Sequence, residues 1–142
     1  MKLFVVAAGK LKDKRLRELA DDYLTRLQRY VACEEIETRA GLGLERAIPR
    51  EALVVALEVD GDALGSEELA HRLEKWASRG KGRVAFVLGG ADGIPPAVSR
   101  AADVRLSLST LTLPHRLARV LLLEQLYRAM TILAGHPYHA GH

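Results

Sequence analysis

The sequence predicts an α/β protein built on a mostly parallel sheet with helices on both faces. Three observations carry that reading. Short, largely apolar runs (Leu3–Ala8, Leu53–Val59 and Arg83–Leu88) stop at glycine or Asp-Gly, as buried strands do. Between them lie stretches whose apolar residues recur at helical spacing. Strands that alternate with helices pair in parallel, because each crossover returns the chain to the same edge of the sheet.

Leu3–Ala8 ends at Gly9 and gives the first strand. The start MKLFVVAAG resembles a secretion signal only briefly, because charged LKDKRLRELADD follows at once. Asp13–Tyr30 places Leu16, Leu19, Ala20, Tyr23, Leu24 and Leu27 on a helix. Glu34–Thr38 reads as a short strand, and Leu44–Ala47 as a short helix limited by Pro49. The segment between Gly41 and Leu53 is the least legible part of the chain. Leu53–Val59 is a buried strand, with Asp60-Gly61-Asp62 expected to close it.

Ser66 is expected to cap the next helix, with Glu67 and Glu68 in its first turn. That helix carries Leu69, Leu73, Trp76 and Ala77 on one face and ends near Gly80. Arg83–Leu88 then runs into Gly89-Gly90-Ala91-Asp92-Gly93. A short helix over 95–102, a strand Val104–Leu108 and a last helix from His115 to about Ala134 complete the pattern. Leu121-Leu122-Leu123 makes that last helix apolar on more than one side, so it packs on the sheet and on something further.

With 142 residues, one domain spanning 1–142 is expected. Hydrophobic residues make up 49% and charged residues 27%, which argues against disorder. Aromatics are only 5%, too few for a binder that stacks successive bases. The net charge of +3 fits an RNA partner without requiring one. The lone Cys33 excludes an internal disulfide and a cysteine-based zinc site, and points to a reducing compartment. No run approaches the ~20 apolar residues that a membrane helix needs.

In sheets of this kind ligands bind at the carboxyl ends of the strands. Two loops qualify. Leu88–Ile94, LGGADGI, is either a tight turn or a loop that admits a cofactor to the backbone. It has neither the dinucleotide glycine spacing nor a P-loop Lys-Ser/Thr. Leu106–His115, LSLSTLTLPH, is either half-buried strand or a loop of apolar walls and backbone donors suited to an adenine. On the last helix Glu124 and Arg128 stand four apart, acid first. They form a surface pair or, on so apolar a face, a partly buried one with a structural or functional role. The tail GHPYHAGH has three histidines but no cysteine or carboxylate beside them, so no metal is expected. Terminal residues are commonly frayed, yet Tyr138 and His139 offer hydrogen-bond donors or a proton acceptor. Gly-x-Ser-x-Gly is missing, and Cys33 has no base in a readable motif, so nucleophilic hydrolysis lacks support.

Together MKLFVVAAGK, VALEVDG, S-x-E-x-x-A, FVLGGADG and LSLSTLTLPHRLARVLLLEQLYRAMTILAGHPYH give a resemblance over essentially the whole chain. The sequence resembles the RlmH-type large-subunit ribosomal RNA methyltransferases, small members of the SPOUT (α/β-knot) class. The resemblance implies a homodimer, a C-terminal trefoil knot and S-adenosylmethionine as methyl donor. It implies that the acceptor is ring nitrogen 3 of a pseudouridine in 23S rRNA of the assembled ribosome, and hence a cytoplasmic protein.

Position by position, the resemblance puts Leu57, Gly89 and Gly90 against the cofactor. Ser109, Thr110, Leu111, Thr112, Leu113 and Pro114 would wrap its adenine and methionine parts. It places Glu124, Arg128, Tyr138 and His139 near the substrate, with His115 beside them. His139 is one candidate base, the resemblance leaving the proton acceptor open, and Arg128, oriented by Glu124, is the candidate partner of a phosphate or of the imide anion. The chain departs from the family at Ala140, where a basic residue is usual, which removes a tail contact to RNA or moves it to His142. The stretch from Gly41 to Leu53 is also shorter than usual. Two other readings compete: an RNA- or ribosome-binding module without catalysis, and a nucleotide-binding oxidoreductase, which lacks the fingerprint spacing.

Overall fold

The computed structural model describes residues 1–39 and 43–141. Chain order is β1 (Lys2–Ala8), α1 (Lys14–Leu27), β2 (Ala32–Thr38), α2 (Leu44–Ala47), β3 (Leu53–Ala63), α3 (Ser66–Arg79), β4 (Arg83–Leu88), α4 (Pro96–Ala101), β5 (Val104–Ser107) and α5 (His115–Leu133). A 3₁₀ turn, Pro137–His139, follows. Among the described residues the strands form one five-stranded sheet in the order β2-β1-β4-β3-β5. Every pairing is parallel, with Leu3 opposite Cys33 and Val84, and Val55 opposite Phe86 and Val104.

Alternation along β1 sorts the core into two layers, because successive strand side chains point to opposite faces. Leu3, Val5 and Ala7 pack beneath α1, α3 and α5 with Leu27, Leu73, Trp76, Leu122, Leu123 and Leu126. Phe4 and Val6 face the other way, towards Leu44 of α2 and Val98 of α4. The first layer is the thicker one and holds the edge-on pair of Trp76 and Phe86, 6.2 Å between centroids. A fully buried side chain such as Phe86 contributes about 1.5–3 kcal/mol. Asp13 caps α1, its carboxylate accepting from the Arg15 and Leu16 amides at 2.9 and 3.2 Å. Ala40, Gly41 and Leu42, in the stretch read as shorter than usual, lie outside the described residues.

Three expectations change. β3 does not close at Asp60 but runs on to Ala63. Its pairing with β5 slips, Leu57 and Asp62 both facing Leu106, so residues 58–61 bulge outwards. A Cβ at Gly61 would stand 2.7 Å from the Arg105 carbonyl carbon, so the bulge closes only on glycine. Ser66 is not the cap of α3. Gly65 holds that position, and the Ser66 hydroxyl donates instead to Gln125 Oε1 on α5 at 2.7 Å. The tail through His139 is packed, Tyr138 lying edge-on to Tyr127 at 4.6 Å.

Candidate functional site

The carboxyl ends of β3 and β4, the following loops and the start of α5 enclose a cavity of about 370 Å³. Of the residues singled out in the sequence, Leu57, Gly89, Gly90, Ser109, Leu111, Leu113 and His115 line it. Thr110, Thr112 and Pro114 belong to the same loop but do not line the cavity. The loop is shaped by its own serines: Ser107 Oγ donates to the Ser109 carbonyl, and the Leu111 amide donates to Ser109 Oγ, each at 2.9 Å. Leu111 is left 74% exposed, an apolar wall that an adenine-sized ring would cover. Gly89 is fixed by close approach. A Cβ there would lie 2.2 Å from the Gly93 carbonyl carbon, so any side chain forces the turn open.

Glu58, Val59 and Asp60 also line the cavity, and sequence reading did not single them out. The bulge in β3 puts them there. Its signal was Gly61 within a strand pattern, which marks bulges as well as strand ends. Ser99 Oγ donates to both Glu58 carboxylate oxygens, at 3.0 and 2.8 Å, and fixes that side chain.

Glu124, Arg128, Tyr138 and His139 form a second cluster, which does not line the cavity. Arg128 donates to Glu124 from Nε at 3.4 Å and from Nη2 at 2.8 Å. The Tyr138 hydroxyl donates to Glu124 Oε2 at 2.7 Å, and the guanidinium lies 4.8 Å from the Tyr138 ring centroid. Arg128 Nη1 reaches His139 Nδ1 at 3.0 Å. Guanidinium can only donate, so Nδ1 is the acceptor and carries no proton in this arrangement. The Glu124–Arg128 pair is therefore no solvated surface pair: its side chains are only 13% and 15% exposed. The hydrogen bond to Glu124 raises the Arg128 pKa, keeping it charged. Burial, and then the bond to Glu124, push the Tyr138 phenol well above the ordinary tyrosine value, so Tyr138 is a donor rather than a base.

The start of α5 is anchored, one turn in, by a residue that sequence reading missed. Arg119, 4% exposed, donates to Glu35 at 3.3 Å, to Glu37, and to the Gly9 carbonyl at 2.8 Å. Arg17 pairs with the same two carboxylates. Arg119 lies one helical turn after His115 and beside Ala118, both in the cavity wall. Cys33 is no nucleophile: burial, with Glu35 and Glu34 nearby, pushes its thiol up to about 12. Among the described residues no group of His, Cys, Asp or Glu is placed to hold a metal ion, and no helix is long and apolar enough to cross a membrane. His142 lies outside the described residues.

A family model described as "Predicted SPOUT methyltransferase" matches residues 1–139. A protein of Sorangium cellulosum (strain So ce56) named "Ribosomal RNA large subunit methyltransferase H" is 59% identical, over 97% of this chain and 99% of its own. One of the same name from Koribacter versatilis (strain Ellin345) is 45% identical over the full length of both. Among solved structures, a probable methylase family protein from Haemophilus influenzae Rd KW20 superposes with a TM-score of 0.62 at 11% identity, over 96% of this chain and 69% of that one. A probable methyltransferase from Bordetella pertussis Tohama I gives 0.56 at 15% identity, over 91% and 94%. At such identities these two likenesses speak for the fold alone.

Proposed function

The chain belongs to the SPOUT methyltransferase family, and on that footing we propose that it methylates ring nitrogen 3 of a pseudouridine in 23S rRNA. S-adenosylmethionine is the methyl donor and the assembled ribosome, in the cytoplasm, the substrate. The chain acts as a single domain and carries the trefoil knot of its class. The observation that carries the reading is the cavity at the strand ends: seven residues expected at the cofactor or beside the substrate converge on it from three segments of the chain.

The residues present fit the donor. Leu57, Leu111 and Leu113 offer apolar walls for an adenine, the Gly89–Gly90 backbone a close approach, and Ser109 with Asp60 a polar rim. When bound, S-adenosylmethionine supplies an electrophilic methyl group on a sulfonium. The chain's own task is to bring up the acceptor and take its proton, because an imide nitrogen is a nucleophile only once deprotonated. Arg128, held by Glu124, is placed to stabilise the imide anion or a neighbouring phosphate. His139 is the proton acceptor, and its Nδ1 becomes available when Arg128 turns to the RNA. A base in hydrogen-bond reach contributes ~10²–10⁴-fold. Tyr138 keeps Glu124 in register by donating to it.

One copy of the chain does not unite these parts. Glu124 is nine residues beyond His115 on α5, about 13 Å along the axis and about half a revolution around it. Leu117 and Leu121, 42% and 40% exposed, share the stripe that carries Glu124 and Arg128. A homodimer packed on that stripe carries the cluster of one copy to the cavity of the other.

The test is to incubate the protein with methyl-labelled S-adenosylmethionine and ribosomes that contain the pseudouridine but lack its methyl group. Label is expected at that nucleotide and absent when uridine replaces it. Label elsewhere, or none with donor binding intact, refutes the assignment of the acceptor.

A further inference from the structure

A second cavity of about 860 Å³ adjoins the first, between the ends of β1 and β2, α2 and the 90–95 loop. Nothing in the mechanism above uses it. Gly90 and Gly93 line both cavities. They close one turn, the Gly93 amide donating to the Gly90 carbonyl at 3.0 Å. The wall between the cavities is thus a single backbone turn without side chains at the two shared positions.

Arg39, one residue past β2, and Arg46, on α2, line the second cavity, and both are exposed. Among the described residues neither pairs with a carboxylate; they share that with other exposed arginines such as Arg79, and what sets them apart is that both line this cavity. Unpaired, exposed guanidinium groups are the donors that fit phosphate, often two at a time. Glu45 and Asp92 line the same space. A simple anion would be repelled by them, but a nucleotide carries both kinds of partner: phosphate oxygens for arginine, and base N–H and 2′-hydroxyl donors for carboxylate.

We infer that the second cavity seats the RNA strand flanking the target nucleotide, with Arg39 and Arg46 taking its phosphates while the target base passes the Gly90–Gly93 turn towards the methyl donor. The inference rests on the RNA methyltransferase reading above and adds where the strand runs. The larger cavity, more than twice the volume of the first, accommodates backbone on the acceptor side.

The test compares Arg39→Ala, Arg46→Ala and the double variant with Arg79→Ala, an exposed arginine by Gly80 at the amino edge of the sheet. Donor affinity is measured by calorimetry, and association with unmethylated ribosomes by co-sedimentation over a range of KCl concentrations. The double variant is expected to bind donor like the parent, to bind ribosomes about tenfold more weakly, and to lose about one unit of salt slope per contact removed. Arg79→Ala is expected to match the parent. Parent-like ribosome affinity and salt slope in the double variant overturn the inference, as does a parent chain that binds no ribosomes. Loss of ribosome binding in the double variant, with no methyl transfer by the parent, leaves the RNA seat standing and removes the methyl-transfer reading instead.

Discussion

The cavity at the strand ends and the Glu124–Arg128 cluster are built by opposite means. The cavity gathers residues far apart in sequence, and its specific features lie in backbone: a glycine turn, a bulge and a loop held by its own serines. The cluster comes from one helix and the tail just beyond it, and everything specific about it is side chain. A site made of backbone tolerates many side-chain changes and fails where a Cβ intrudes. A site made of side chains fails when one functional group is removed. Binding and chemistry should therefore respond to different mutations.

The sharpest way to break this comparison is Arg128→Ala. It removes the guanidinium of the cluster and leaves the cavity lining untouched. We expect kcat to fall about 10²–10³-fold with donor affinity unchanged. A parallel loss of donor binding would show that the cluster also holds the donor. Gly89→Ala tests the other side. Its Cβ must displace the Gly93 carbonyl, so donor Kd is expected to rise about tenfold, near 1.4 kcal/mol. Ribosome co-sedimentation is expected to change far less.

The smallest effect concerns the anchor that both regions share. Burial opposes ionisation of Glu37, but the Leu11 amide and the Arg119 and Arg17 guanidiniums outweigh it and hold its pKa below the usual glutamate value. A depressed carboxylate stabilises the fold above its unfolded pKa, about 4.3. That contribution is lost as pH falls through the lower folded value. Urea unfolding from neutral to acid pH should show the loss, and Glu37→Gln should flatten that part of the profile.

Most of the architecture is legible because strand and helix periods differ and the punctuation is clear: Gly9, Gly80 and Pro114 each stand where an element turns. The two strand-end loops that line the cavity are legible as candidates because glycines and a Ser/Thr-Leu alternation follow strands. What escaped depends on partners distant in sequence. Gly61 marks a bulge only because β5 passes within reach of it. Ser66 looks like a cap, but its hydroxyl is claimed by Gln125, 59 residues away. Arg119 reads as one of several basic residues on the last helix, and only the sheet edge reveals it as buried. The tail reads as frayed because it is terminal, and its packing on Tyr127 depends on a helix residue that no motif marks.

The burial of Arg119 also ties the two ends of the chain to each other. Its acceptors lie 82 to 110 residues earlier in the chain, on β2 and at the end of β1. A guanidinium cannot be stripped of water until its carboxylates are in place, because the uncompensated charge costs several kcal/mol. The docked last helix therefore depends on the paired amino-terminal strands, and so does the loop strung between the last strand and that helix. Loosening the far edge of the sheet therefore unsettles the strand-end cavity from a distance, although neither β1 nor β2 lines it.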